Sequence, residues 1–126
     1  QIVKTTDGGE TWDVILISNN ITSTSFINDN VGFYSDSNND IFKTTNGGTQ
    51  WNKIATVNNY YIMDMLFESE SKGYIATYEG KILMTTDGGL TWNIIYEKTN
   101  VPILKIVKTS NYLFAVGNNG LLIKSR

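Results

Sequence analysis

The sequence predicts an all-β protein made of small antiparallel sheets repeated in tandem, and three observations carry that expectation. One eight-residue pattern occurs three times: Thr5 to Trp12 reads TTDGGETW, Thr44 to Trp51 reads TTNGGTQW, and Thr85 to Trp92 reads TTDGGLTW. Apolar runs opening at Ile2, Ile41, Ile82 and Leu122 recur at offsets of 39, 41 and 40 residues. Between the turn residues the segments are short and rich in Ile, Val, Thr, Tyr and Phe, and none sustains helical periodicity.

The elements follow in order. Residues 1–20 supply two strands, Ile2 to Thr6 and Trp12 to Ile17, joined by the first copy of the pattern. Residues 21–59 supply four: Ile21 to Asn28, Val31 to Ser37, Asp40 to Thr45 and Trp51 to Val57. Asp29-Asn30, Asn38-Asn39 and Asn46-Gly47-Gly48 punctuate them, as turn-forming residues do. Residues 60–100 repeat the scheme with Tyr61 to Glu68, Gly73 to Tyr78, Lys81 to Thr86 and Thr91 to Glu97. Residues 101–126 supply three more: Ile103 to Thr109, Leu113 to Gly117 and Leu121 to Ser125. The lone Pro102 opens a strand, where a missing donor is tolerated.

Four-stranded up-and-down sheets at a period near 40 residues are the signature of β-propeller blades. The chain therefore reads as a single propeller segment over residues 1–126, about three blades of an incomplete ring. Propellers close with roughly four to eight blades. Bare blade faces and strand edges invite association. The expectation is that the remaining blades come from a longer parent chain or from self-association, a pair of chains making a six-bladed ring.

Composition narrows function by exclusion. Charged residues are 17% of the chain and the net charge is -2, with nine Lys and one Arg dispersed along it. No basic field is present to attract nucleic acid. Cysteine and histidine are absent, which removes thiolate chemistry and the commonest general base and metal ligand. No apolar run is long enough for a membrane helix. Asp36-Ser37-Asn38-Asn39-Asp40 resembles the start of a calcium loop, but Ile41 and Gly47 stand where that loop needs Gly and Glu. Neither a metal nor a cofactor is expected.

The pattern T-x-D-G-G-x-x-W resembles the Asp-box, or bacterial neuraminidase repeat. Gly73-Tyr74-Ile75-Ala76 with Gly80-Lys81-Ile82-Leu83, Gly32-Phe33 with Ile41-Phe42, and Phe114-Ala115-Val116-Gly117 with Gly120-Leu121-Leu122 extend the likeness. Together they resemble propellers of the photosystem II assembly/stability factor type. That resemblance implies a non-catalytic interaction or assembly scaffold, exported in many relatives, whose partner is a protein or glycan. It also admits the alternative of a fragment of a xyloglucanase- or sialidase-like glycoside hydrolase with its catalytic residues elsewhere. A sialidase site needs an arginine cluster that one Arg cannot supply. Asp36, Asp40, Asp64, Glu68 and Glu79 are the carboxylates available for a paired mechanism. No spacing singles out two of them, and most read as turn or surface charges.

The box itself reads as structural. Thr5, Asp7, Gly9 and Trp12, then Thr44, Asn46, Gly48 and Trp51, then Thr85, Asp87, Gly89 and Trp92 would form hairpin clasps. The Asp accepts bonds from its own turn, the glycines take positive φ, and the Trp fills the wedge between blades. Asn46 in the second copy argues against a catalytic carboxylate there. Family resemblance places binding on the opposite face, where Asn58, Asn59, Tyr60, Tyr61, Tyr78 and Glu79 combine amide, aromatic and acidic groups.

Overall fold

The computed structural model describes residues 1–126. Strand β1 (Ile2–Lys4) pairs with β2 (Asp13–Ile15). A second sheet takes β3 (Ile21–Phe26), β4 (Gly32–Asp36), β5 (Asp40–Thr44) and β6 (Asn52–Thr56) in sequence order. The third repeats that order with β7 (Ile62–Phe67), β8 (Gly73–Thr77), β9 (Ile82–Thr85) and β10 (Asn93–Tyr96). The fourth has only β11 (Ile103–Lys108), β12 (Leu113–Gly117) and β13 (Leu122–Lys124). Within each sheet, strands adjacent in sequence pair antiparallel. The result is the all-β, up-and-down blade arrangement expected, in an arc that does not close. Several strands are shorter than their sequence patterns, because the box and turn residues at their ends leave the ladder to bond within turns.

Two apolar wedges hold the blades together. Val31, Phe33, Ile41 and Val57 of the second sheet meet Ile62, Met65, Phe67, Ile75 and Leu83 of the third. Phe33 and Phe67 stack across this joint with ring centroids 3.6 Å apart. Tyr74, Ala76 and Ile82 then meet Ile103, Ile106, Leu113 and Ala115 of the fourth sheet. Blades packed on both sides explain why all five residues of β4 and of β8 are buried, without the polar alternation of a one-sided sheet.

The first strands of the blades are also joined by polar clamps. Met65 N donates to Ser23 Oγ at 3.0 Å and Phe67 N to Ser25 Oγ at 2.8 Å. Ile106 N donates to Asp64 Oδ2 at 2.9 Å, and Ser23 Oγ donates to Asp64 Oδ1 at 3.0 Å. Innermost strands have one edge free of a ladder partner, and these side chains satisfy amides that burial would otherwise leave unpaired. A register shift falls just before Ser23, Asp64 and Lys105 in the three blades. Bulges of this kind re-aim side chains. The surface-charge reading therefore fails for Asp64, which is 6% exposed and belongs to this clamp.

Candidate interaction rim

The two ends of the blades are built differently. At one end the second and third box turns fold onto the first hairpin of their own blades: Gly47 N donates to Asn30 O and Gly88 N to Ser71 O, both at 2.9 Å. Within the third box, Asp87 Oδ1 accepts from Thr85 Oγ1 at 2.8 Å and from Thr91 N at 2.9 Å, while Thr91 Oγ1 donates to Oδ2 at 2.5 Å. Gly89 N donates to Thr85 Oγ1 and Trp92 Nε1 to Gly89 O. The Thr91 hydroxyl and amide, with Thr85, hold the Asp87 carboxyl at about 2. Thr11 and Thr5 act on Asp7 in the same way and hold it well below the usual carboxylate range.

Asn46 keeps the turn with its single carbonyl oxygen, accepting from Thr44 Oγ1 at 3.0 Å and Gln50 N at 2.9 Å. The buried Trp51 Nε1 lacks the glycine carbonyl bond that Trp12 and Trp92 make. In all three copies the Thr and the Asp or Asn side chain bond to each other within their own turn as a clasp. One expectation needs correcting here. Trp92 packs into the wedge between the second and third sheets and Trp51 against Phe26 and Tyr34 of its own sheet, but Trp12, in a sheet of two strands, is 56% exposed.

The opposite end gathers the turns β4–β5, β8–β9 and β12–β13 with the loops between sheets. Asn20 O accepts Ser37 N, and Asn39 reaches forward to the next loop: its carbonyl accepts Val57 N and its Oδ1 accepts Ile62 N at 3.0 Å. Tyr61 O accepts Tyr78 N at 3.0 Å, and both Glu79 carboxylate oxygens accept Tyr61 N. A Cβ on Gly80 would lie 2.6 Å from Thr99 O, so the following loop runs directly over that turn. Pro102 O accepts Asn118 N in the last blade. Each turn is thus stitched to the loop beside it, which makes the rim a continuous, preorganised surface.

The structure brings Tyr61, Tyr78 and Glu79 together on this rim, with Asn58 and Asn59 exposed on the same loop. Tyr61 is 41% and Tyr78 59% exposed. Tyr60 instead turns inward and packs on the wedge between the second and third sheets. Each candidate carboxylate carries a structural bond. Asp36, 1% exposed, accepts Asn38 N, Asp40 N and the Asn19 amide. Asp40 binds Lys53 at 2.8 Å and Thr56, and the Lys53 bond first, then Thr56, lowers its pKa. Glu68 bridges Lys72 and Lys108, and Lys105 pairs with Asp64. No group of three acidic, His or Cys side chains converges as a metal site would. Sequence reasoning missed the Glu79 cap and the Asn39 bridge. The signal available for them was the place of Asn39 and Gly80 at matching turns one repeat apart.

Blades of this meander topology, clasped at one end and stitched at the other, define a β-propeller. Among family models and curated sequences none matches the chain. Solved propellers do. The chain is similar to YCF48 from Cyanidioschyzon merolae, with a TM-score of 0.80 and 20% identity, over 97% of this chain and 43% of that one. It is similar to YCF48 bound to D1 peptide, with a TM-score of 0.71 and 23% identity, over 86% of this chain and 38% of that one. It is also similar to the GH74 enzyme of Niastella koreensis, with a TM-score of 0.72 and 20% identity, over 94% of this chain and 22% of that one. The chain thus spans less than half the length of each of these structures. These likenesses establish the propeller fold and agree with the assembly-factor-type repeats that the sequence resembles.

Proposed function

We propose that the chain is a non-catalytic propeller scaffold that binds a protein or glycan through the rim opposite the box turns, with an extended peptide the favoured class. The observation that carries this reading is the pair of exposed tyrosines, Tyr61 and Tyr78, held side by side by a backbone hydrogen bond next to Glu79. Aromatic faces with adjacent amide and carboxylate groups offer apolar contact and hydrogen bonding together, with little ordering cost on a stitched loop. The peptide class is favoured by the YCF48 neighbour, whose structure holds a D1 peptide. The structural commitments of Asp36, Asp40, Asp64, Glu68 and Glu79 support the non-catalytic reading.

The test is binding to immobilised peptide and glycan panels, with the Tyr61→Ala/Tyr78→Ala double variant as control. Selective binding that falls at least tenfold in the variant, with an unchanged melting curve, is expected. Binding indifferent to both tyrosines would remove the rim from consideration. The GH74 neighbours favour a second reading, a propeller portion of a glycoside hydrolase whose catalytic residues lie outside this chain. Release of reducing ends from xyloglucan by a longer natural form of the protein would establish that alternative.

A further inference from the structure

At the rim one backbone bond recurs in three blades while the side chains around it vary. Ser37 N donates to Asn20 O at 2.9 Å, Tyr78 N to Tyr61 O at 3.0 Å and Asn118 N to Pro102 O at 3.1 Å. These pairs lie one residue beyond the ladder pairs Ile21–Asp36, Ile62–Thr77 and Ile103–Gly117. The scaffold makes the bond with Asn and Ser, or with Pro and Asn, so it does not require two tyrosines. The residue after the donor is Asn38 in the second sheet, Asn119 in the fourth and Glu79 in the third. An aromatic pair with a carboxylate is therefore peculiar to one repeat, at positions that the fold fills elsewhere with neutral, non-aromatic residues.

These three side chains have contacts to spare. Opposed residues of an antiparallel pair project from the same face, so both rings stand on one side of the hairpin end. Both are exposed, neither packs on another aromatic ring, and neither lies under a cation of the chain. Glu79 is half-buried and accepts Tyr61 N through both oxygens. It enters no ion pair. One amide leaves most of a carboxylate's accepting capacity unused. The neighbouring rim acids are committed: Asp36 is buried under three donors, and Asp40 is paired with Lys53.

The other end of the same blade shows such a set completed. Lys72 Nζ lies 5.8 Å from the centroid of the Tyr74 ring and 2.9 Å from Glu68 Oε1. There an aromatic face and a carboxylate share one ammonium group. The ring attracts the cation through its quadrupole, and the carboxylate adds a charge-assisted hydrogen bond. At the rim the rings and the carboxylate are present, and the chain itself supplies no cation. We propose that Tyr61, Tyr78 and Glu79 form a receptor for one basic side chain of an extended peptide, the guanidinium of an arginine or the ammonium of a lysine. The proposal rests on the rim as the binding surface and adds the charge of the group anchored there. Asn58 and Asn59, exposed on the same loop, offer amides to the main chain beside that group.

The test follows the Tyr61 and Tyr78 ring signals of the 126-residue chain by NMR as short Gly/Ser peptides are added. The peptides differ only at a central arginine, lysine, citrulline or norleucine. Citrulline keeps the shape of arginine without its charge, and norleucine keeps the apolar stem of lysine. Saturable shifts are expected with the arginine or lysine peptide, and an affinity about tenfold lower with its neutral counterpart. The tighter of the two charged peptides identifies the group. Glu79→Gln in the chain should cause a similar loss with an unchanged melting curve, because the amide oxygen it introduces can still accept Tyr61 N. Neutral peptides that bind as tightly as charged ones, or an affinity indifferent to Glu79→Gln, overturn the proposal while leaving the rim as a neutral binding surface. Absence of a saturable shift with every peptide also overturns it. The rim reading itself fails separately, when ligands from the panels bind regardless of Tyr61→Ala/Tyr78→Ala.

Discussion

The first and third boxes carry nearly the same eight letters and make nearly the same internal hydrogen bonds, yet only one contributes to a core. In both, the Asp takes the amide and hydroxyl of the second Thr and the Trp indole donates to the second glycine. Trp92 meets Phe67 edge-on with centroids 5.9 Å apart inside the wedge between full blades, while Trp12 lies in the open. The comparison separates two kinds of information. Turn geometry is written locally, within eight residues; packing depends on the neighbour the fold supplies.

Substitutions at matched positions sharpen that separation. Trp92→Ala should have the largest effect, on the order of 3 kcal/mol in urea unfolding. The same change at Trp12 should cost only about 0.5 kcal/mol. Equal losses would mean that the exposed copy is also packed in solution. Gly89→Val comes next. It meets Ile54 and Phe67 at a φ of +92°, and a cost of about 2–3 kcal/mol is expected. Gly9→Val meets only Trp12 and should lose the backbone strain alone, about 1–2 kcal/mol.

The acid limb of stability is where both boxes should behave alike. Asp87 titrates at about 2 in the folded chain, against about 3.9 for an unfolded Asp. The folded value is the lower, so the stabilisation is fully present above the unfolded value and withdrawn as pH falls towards 2. Asp87→Asn should therefore flatten the fall in melting temperature between about pH 4 and pH 2, and Asp7→Asn should do the same. Asn46→Asp should steepen it. It supplies a carboxylate where the native chain has an amide, although Gln50 offers no hydroxyl to the second oxygen. A melting curve blind to all three changes would mean that the clasps contribute nothing to folding.

Much of this fold was legible because the repeat states it three times, with β-branched runs between glycine and asparagine turns. The strand order and box register followed directly. The joints between blades were not legible. Ser23 and Asp64 read as isolated polar residues in strands, since each serves a partner 42 residues further on and nothing local marks that partnership. The same limit applies to the rim. Tyr60 and Tyr61 are adjacent letters with the same side chain, yet one packs inward and the other stands out. Only the strand beginning at Ile62 decides which face each takes. Asp36 read as a turn residue and is one, but its burial follows from the amides that converge on it.

The clamp along the inner strands has a consequence for how such a chain can change its length. Ser23 and Met65, and Asp64 and Ile106, are separated by the same 42 residues, close to one repeat. The third blade carries both halves of the joint, an amide offered back at Met65 and an acceptor offered forward at Asp64. An in-frame duplication of that blade would bring its own splice on both sides, with no compensating change in either neighbour. Ancestral copying could lengthen the array one blade at a time, each new unit born already jointed.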